Sequence, residues 1–216
     1  MIAVLHYALL KSLRDRSLAI FVLGPALVIA ASLFGATIAE GGLRYPFHVS
    51  RQMSAAQNAE IIALILMFFV MMFGTVAAFW TFRPEVVTKT IGSFLMARRP
   101  LTVALAQVTF AAAVTFSAWI AGILTIAALT SALPRALGWF ALAAVVAALA
   151  AASIGALVLT ISPQPAMVLW AFLGCTALLP LLVNRAVGPK LLYIVPVMAI
   201  LFTAVSAFLL ERRWAS

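Results

Sequence analysis

Six stretches of this chain run without a charged residue for long enough to cross a lipid bilayer. They are Ser17–Ala39, Ile61–Phe82, Leu101–Leu133, Ala136–Ile161, Ala166–Val183 and Leu191–Leu210, each bounded by charge, proline or glycine. A helix rises about 1.5 Å per residue, so about 20 residues span a hydrocarbon core about 30 Å thick. None of the runs alternates polar with apolar residues as a barrel wall must. The expected class is therefore an all-α polytopic membrane protein with six transmembrane helices. The third run is too long to be membrane throughout, so Thr130–Pro134 is expected to form a loop. The spans are then 17–39, 61–82, 101–130, 136–161, 166–183 and 191–210, in one domain covering 1–216 with no soluble part.

Composition agrees. The chain is 66% hydrophobic and 9% charged, with a mean hydropathy of +1.21, far from the usual soluble balance. A net charge of +9 would ordinarily raise nucleic acid as a partner, but membrane proteins collect Lys and Arg in cytoplasmic loops for another reason. With both termini cytoplasmic, Lys11, Arg14, Arg16, Arg83, Lys89, Arg98, Arg99, Arg212 and Arg213 fall on that side. Arg44, Arg51, Arg135, Arg185 and Lys190 fall on the other, nine against five of the fourteen. The bias favours that orientation and leaves no need for an anionic macromolecule. A cleaved signal peptide is the rival reading of the start, disfavoured by the long lead-in that includes Asp15. The one cysteine, Cys175, lies in an apolar run and forms no internal disulfide.

Two amphipathic pieces stand outside the spans. In Met1–Arg16, Ile2, Leu5, Leu9 and Leu13 fall on one helical stripe, with Lys11, Arg14 and Asp15 opposite. That pattern describes an interfacial helix with its leucines in the acyl boundary and Arg14 and Arg16 near lipid phosphates; a plain extension of the first span is the alternative. In Arg83–Pro100, Val87, Ile91, Phe94 and Leu95 share a face. Glu85 and Lys89 stand four apart on the other face, spaced for a helical ion pair, where Gly92 and Ser93 keep the surface shallow. The expectation is a short helix over 84–97, opened at Arg83-Pro84 and closed by Arg98-Arg99-Pro100, whose charges also suit the C-terminal dipole and anionic headgroups.

Leu9-Leu10-Lys11-Ser12-Leu13-Arg14-Asp15-Arg16 ahead of Gly24-Pro25, followed by the segment from Phe82 to Pro100 between the second and third spans, resembles the membrane subunit (permease) of ABC transporters of the exporter-like type-two family. By size and layout the chain is also similar to the channel subunit of haem-exporter ABC systems. The usual Gly-Thr pair of the coupling segment is replaced by Val86-Val87-Thr88. The resemblance implies an N-terminal elbow helix (Leu5, Leu9, Leu13, Arg14, Arg16) and a cytoplasmic coupling helix that meets a separate ATPase through Glu85, Lys89, Gly92, Ser93 and Arg98. It implies a bacterial inner-membrane location and a second copy or similar permease chain as partner. The chain itself carries no nucleotide site, because Thr88-Lys89-Thr90 lacks the glycines of a P-loop. ATP and Mg are thus expected on the partner ATPase, with no cofactor and no metal on this chain.

Within the spans no ionisable residue lies deep, which disfavours a proton-coupled carrier. Gln107 is the most polar group there; it either bonds a neighbouring helix or lines the substrate path. The absence of a sustained polar face tilts the expected substrate toward a lipid-like or amphipathic molecule. Ala144, Ala148, Ala152 and Ala156 form a small-residue ridge suited to close helix packing. Residues 181–190, between Pro180 and Pro196, are either re-entrant or a loop. An intramembrane enzyme lacks its parts: no span holds a histidine for a serine protease, and His6 and His48 cannot supply a zinc motif. Glu40, His48 and Glu60 read as solvated loop. A passive channel or assembly subunit explains the spans but not the two amphipathic pieces together.

Overall fold

The computed structural model describes residues 1–39, 55–88, 99–173 and 188–214, and all regular structure among them is helical. In chain order the helices are α1 (Ile2–Arg14), α2 (Ser17–Ala39), α3 (Ala55–Val87), α4 (Pro100–Thr130), α5 (Leu137–Ile161) and α6 (Gly188–Trp214), with a further helical segment at 167–173. Four of them contain stretches long and apolar enough to cross a membrane: Ala59–Val87, Pro100–Leu129, Leu137–Ile161 and Tyr193–Arg212. The second half of the fifth apolar run and residues 181–187 lie outside the described residues.

Helix α4 is the centre of the bundle and packs on every other helix, while α3 packs on α2, α4 and α5 and α6 packs on α5 and α4. Glycines mark the close approaches of α3. A Cβ on Gly155 of α5 would stand 2.7 Å from the Thr75 carbonyl oxygen, and one on Gly74 would stand 2.4 Å from the Thr115 hydroxyl oxygen of α4. Gly155 thus lets two backbones approach and Gly74 makes room for the Thr115 side chain, the packing device expected where lipid supplies no hydrophobic drive. The alanine ridge of α5 does the same: Ala144, Ala148, Ala152 and Ala156 are all buried, the last two against Ala78 of α3 and Val108 and Ala111 of α4.

Two apolar clusters fix the alternation of the helices. One joins Ile62, Ile126, Phe140 and Val195; the other joins Val4, Phe82, Ala104, Leu159 and Leu210. The first therefore gathers the starts of α3, α5 and α6 with the end of α4. The second gathers the opposite ends and α1. Arg135 donates its backbone N–H to Glu60 Oε1 at 3.1 Å at the first end. Arg83 donates its Nε–H to the Pro163 carbonyl at 2.8 Å at the second, so the uncharged loop 162–166 lies at the same end as Arg83.

Local chemistry sets the boundaries. Arg16, at φ 56, is left-handed and turns the chain from α1 into α2, and Ser131, at φ 55, ends α4 in the same way. Pro100 occupies the first turn of α4, where its missing N–H costs nothing. Pro84 behaves otherwise than the sequence suggests. It lies inside α3, which continues to Val87, so the break expected at Arg83-Pro84 is absent. The ring removes only the donor to the Trp80 carbonyl, a single hydrogen bond of the helix. Residues 89–98, the rest of the expected coupling segment, lie outside the described residues.

Candidate coupling site

The spans contain little that is polar, and most of their buried hydroxyls are turned inward on their own helix, while the Ser206 hydroxyl and the Trp119 indole N–H are buried without a hydrogen-bond partner among the described residues. Thr75, Thr81, Thr115, Ser153 and Thr203 are buried, and each donates its hydroxyl to the carbonyl four residues earlier. Such back-bonding satisfies the hydroxyl without offering it to a passing ligand. Gln107 is 2% exposed and donates its side-chain amide to the Ala78 carbonyl at 3.1 Å. It thus makes a bond from α4 to the backbone of α3.

The exception is where α1 crosses the end of α3. Val4, Ala8 and Ser12, spaced four apart, form the buried face of α1. The leucine stripe lies on an adjacent face: Leu5 is half-buried, and Leu9 and Leu13 are exposed together with Ile2. One side of α1 is therefore seated on protein while the next presents leucines outward, with Arg14 and Arg16 exposed beyond them. The sequence groups Lys11 with the outward charges, but here its ammonium points inward.

Lys11 Nζ donates to Glu85 Oε1 and to the Thr81 carbonyl, both at 2.6 Å. The Tyr7 hydroxyl donates to the same carboxylate oxygen at 2.7 Å. Tyr7 and Lys11 are one helical turn apart on α1, so both reach a single acceptor. The side chains of Lys11 and Glu85 retain 18% and 5% exposure. The same ammonium meets the Thr81 carbonyl near the C-terminal end of α3, the end of a helix where positive charge is favoured. Burial first, and then the hydrogen bond and charge of Glu85, push the Tyr7 phenol up to about 12, so it stays a donor at any physiological pH.

Glu85 is thus the carboxylate to which α1 is fastened, and it is buried rather than turned outward; Lys89, the partner that the four-residue spacing suggests, lies outside the described residues. Its second oxygen, Oε2, is buried without a hydrogen-bond partner among the described residues, as is the Ser12 hydroxyl. Of the other residues the sequence assigns to an ATPase contact, Lys89, Gly92, Ser93 and Arg98 lie outside the described residues. What the sequence does not reveal is the long-range pairing of residues 11 and 85. The available signal is composition: Glu85 is one of only five acids in a chain with fourteen basic residues, and Tyr7 and Lys11 make a polar stripe on a helix next to the membrane.

The arrangement ties two helices together: α1 is clamped by a buried ion pair to the last turns of α3. Comparison with known proteins finds no match: no family model, no curated protein and no solved structure is similar to this chain.

Proposed function

We propose that this chain is the membrane-embedded permease subunit of an ATP-driven transporter of the ABC type, an exporter of a lipid-like or amphipathic substrate. It would cross the bacterial inner membrane six times with both termini on the ATPase side, and pair with a second copy or a similar chain. The observation that carries the reading is the clamp of Lys11 and Tyr7 on Glu85. A segment displaced by an ATPase at 88–99 would move the end of α3, and the clamp would pass that motion to α1. The apolar character of α3 and α4, and hydroxyls satisfied within their own helices, fit a path for an apolar cargo better than one for ions.

The ATPase would dock on the outward part of the 84–97 segment, through Lys89, Gly92, Ser93 and Arg98, while Glu85 serves the joint to α1. Purification with ATPase subunits encoded in the same genome tests this. Lys89→Glu and Gly92→Trp are expected to weaken complex formation while leaving the isolated chain folded. Complexes of unchanged stability would count against docking at this segment.

A further inference from the structure

Arg83 is the first charged residue after the apolar length of α3, and Glu60 is the last before it. The helix between them is about 35 Å long at 1.5 Å per residue, close to the thickness of a hydrocarbon core. The Arg83 guanidinium therefore stands at the boundary of lipid and water. Two contacts fix it there. Its Nε–H is bonded to the Pro163 carbonyl at 2.8 Å, and its Cζ lies 5.1 Å from the centre of the Trp80 ring. Together they set the position and plane of the fork while using one of its five N–H donors.

The terminal nitrogens have no partner among the described residues, and Arg83 forms no ion pair with a described carboxylate. Glu85, two residues on, is buried and committed to Lys11. The loop that receives Nε, Ser162-Pro163-Gln164-Pro165, carries no charge to repel an anion. Trp80 is 44% exposed, an indole placed where such rings favour the headgroup level. A planar guanidinium whose terminal donors meet no described residue, held in orientation from behind, suits two oxygens of a phosphate.

We propose that Arg83 and Trp80 form a binding site for the phosphate of an anionic phospholipid, with the indole beside the upper acyl chain and the terminal N–H groups of Arg83 on the phosphate oxygens. The site does not depend on the transport reading and survives if no ATPase binds.

The test uses the full chain in detergent with Trp119, Trp139, Trp170 and Trp214 replaced by Phe, so that Trp80 alone reports. Dibrominated phosphatidylglycerol is expected to quench Trp80 at about fivefold lower concentration than dibrominated phosphatidylcholine. Arg83→Gln should abolish that preference and Arg83→Lys restore it only in part. Equal quenching by the two lipids overturns the proposal, as does a preference that survives Arg83→Gln. Full rescue by Arg83→Lys would show a bare surface charge in place of an oriented fork. Displacement of the lipid by millimolar inorganic phosphate would show a site for phosphate alone. Should the tryptophan-reduced protein fail to fold, native mass spectrometry of the unmodified chain serves instead. The wild type should retain one more phosphatidylglycerol than Arg83→Gln, with Arg135→Gln matching the wild type, and equal retention by all three overturns the proposal.

Discussion

Replacing Lys11 by Met removes the ammonium and keeps the aliphatic stem, leaving Glu85 charged and enclosed. Two regimes predict different outcomes. An exposed ion pair contributes about 0–1 kcal/mol, whereas removing one partner of a buried pair costs about 3–5 kcal/mol because the other charge is left uncompensated. Glu85 keeps 5% of its side-chain surface and Lys11 keeps 18%, so the low end of the buried range, about 3 kcal/mol, is the reasonable figure. This cost falls on the docking of α1. The amides of α1 should therefore exchange with deuterium about 100-fold faster in Lys11→Met, at about 1.4 kcal/mol per tenfold. The double variant Lys11→Met with Glu85→Leu should come back to within about tenfold of the wild type, because an apolar contact replaces the pair without a stranded charge. Raising the salt from about 0.05 M to about 0.5 M should leave the wild-type rate almost unchanged, since a buried pair is poorly screened. A single variant that accelerates exchange less than about fivefold, or singles whose effects simply add, would refute the buried clamp.

Other expectations follow from the same packing. Because the folded Tyr7 phenol is held up to about 12 against an ordinary value near 10, its contribution to α1 docking is complete below about pH 10 and falls as pH rises toward 12. A tyrosinate difference spectrum against Tyr7→Phe should show that late titration. Gln107→Leu should lower stability by about 1 kcal/mol or less, the scale of interhelical hydrogen bonds in membranes, and leave transport intact; a large transport defect at unchanged thermal stability would place Gln107 in the path. Gly155→Ala puts a Cβ against the Thr75 carbonyl and should cost about 1–3 kcal/mol in a thermal melt. Gly138→Ala, with nothing within 4 Å, should be neutral or stabilise by up to about 1 kcal/mol. Arg16→Gly should relieve the left-handed strain of the turn into α2 and raise the melting temperature by a few degrees.

Much of the bundle is legible in the residue pattern, because the signals there are local. The alanines of α5 recur every fourth position, and the structure buries all four, Ala152 and Ala156 against α3 and α4. The leucines of α1 repeat at helical spacing, and Leu9 and Leu13 stand exposed on one side of that helix. Local rules mislead at Pro84, where a proline that reads as the opening of a new helix is carried within the last turns of α3. At Glu85 they are silent: the partner that encloses it is 74 residues away, and no helical periodicity encodes that approach. Arg83 and Pro163, 80 residues apart, meet through the same kind of long-range packing, α5 approaching α3 closely at Gly155.

The reading of α1 and α3 as parts of an ATP-coupled device is tested most directly by ATP turnover of the assembled complex, comparing wild type with Lys11→Met in lipid nanodiscs. The account predicts that both chains hold the ATPase equally well, since Lys11 is not in the docking segment. It predicts that turnover loses its dependence on the membrane subunit when the clamp is cut. An ATPase that binds and turns over identically with either chain would contradict it.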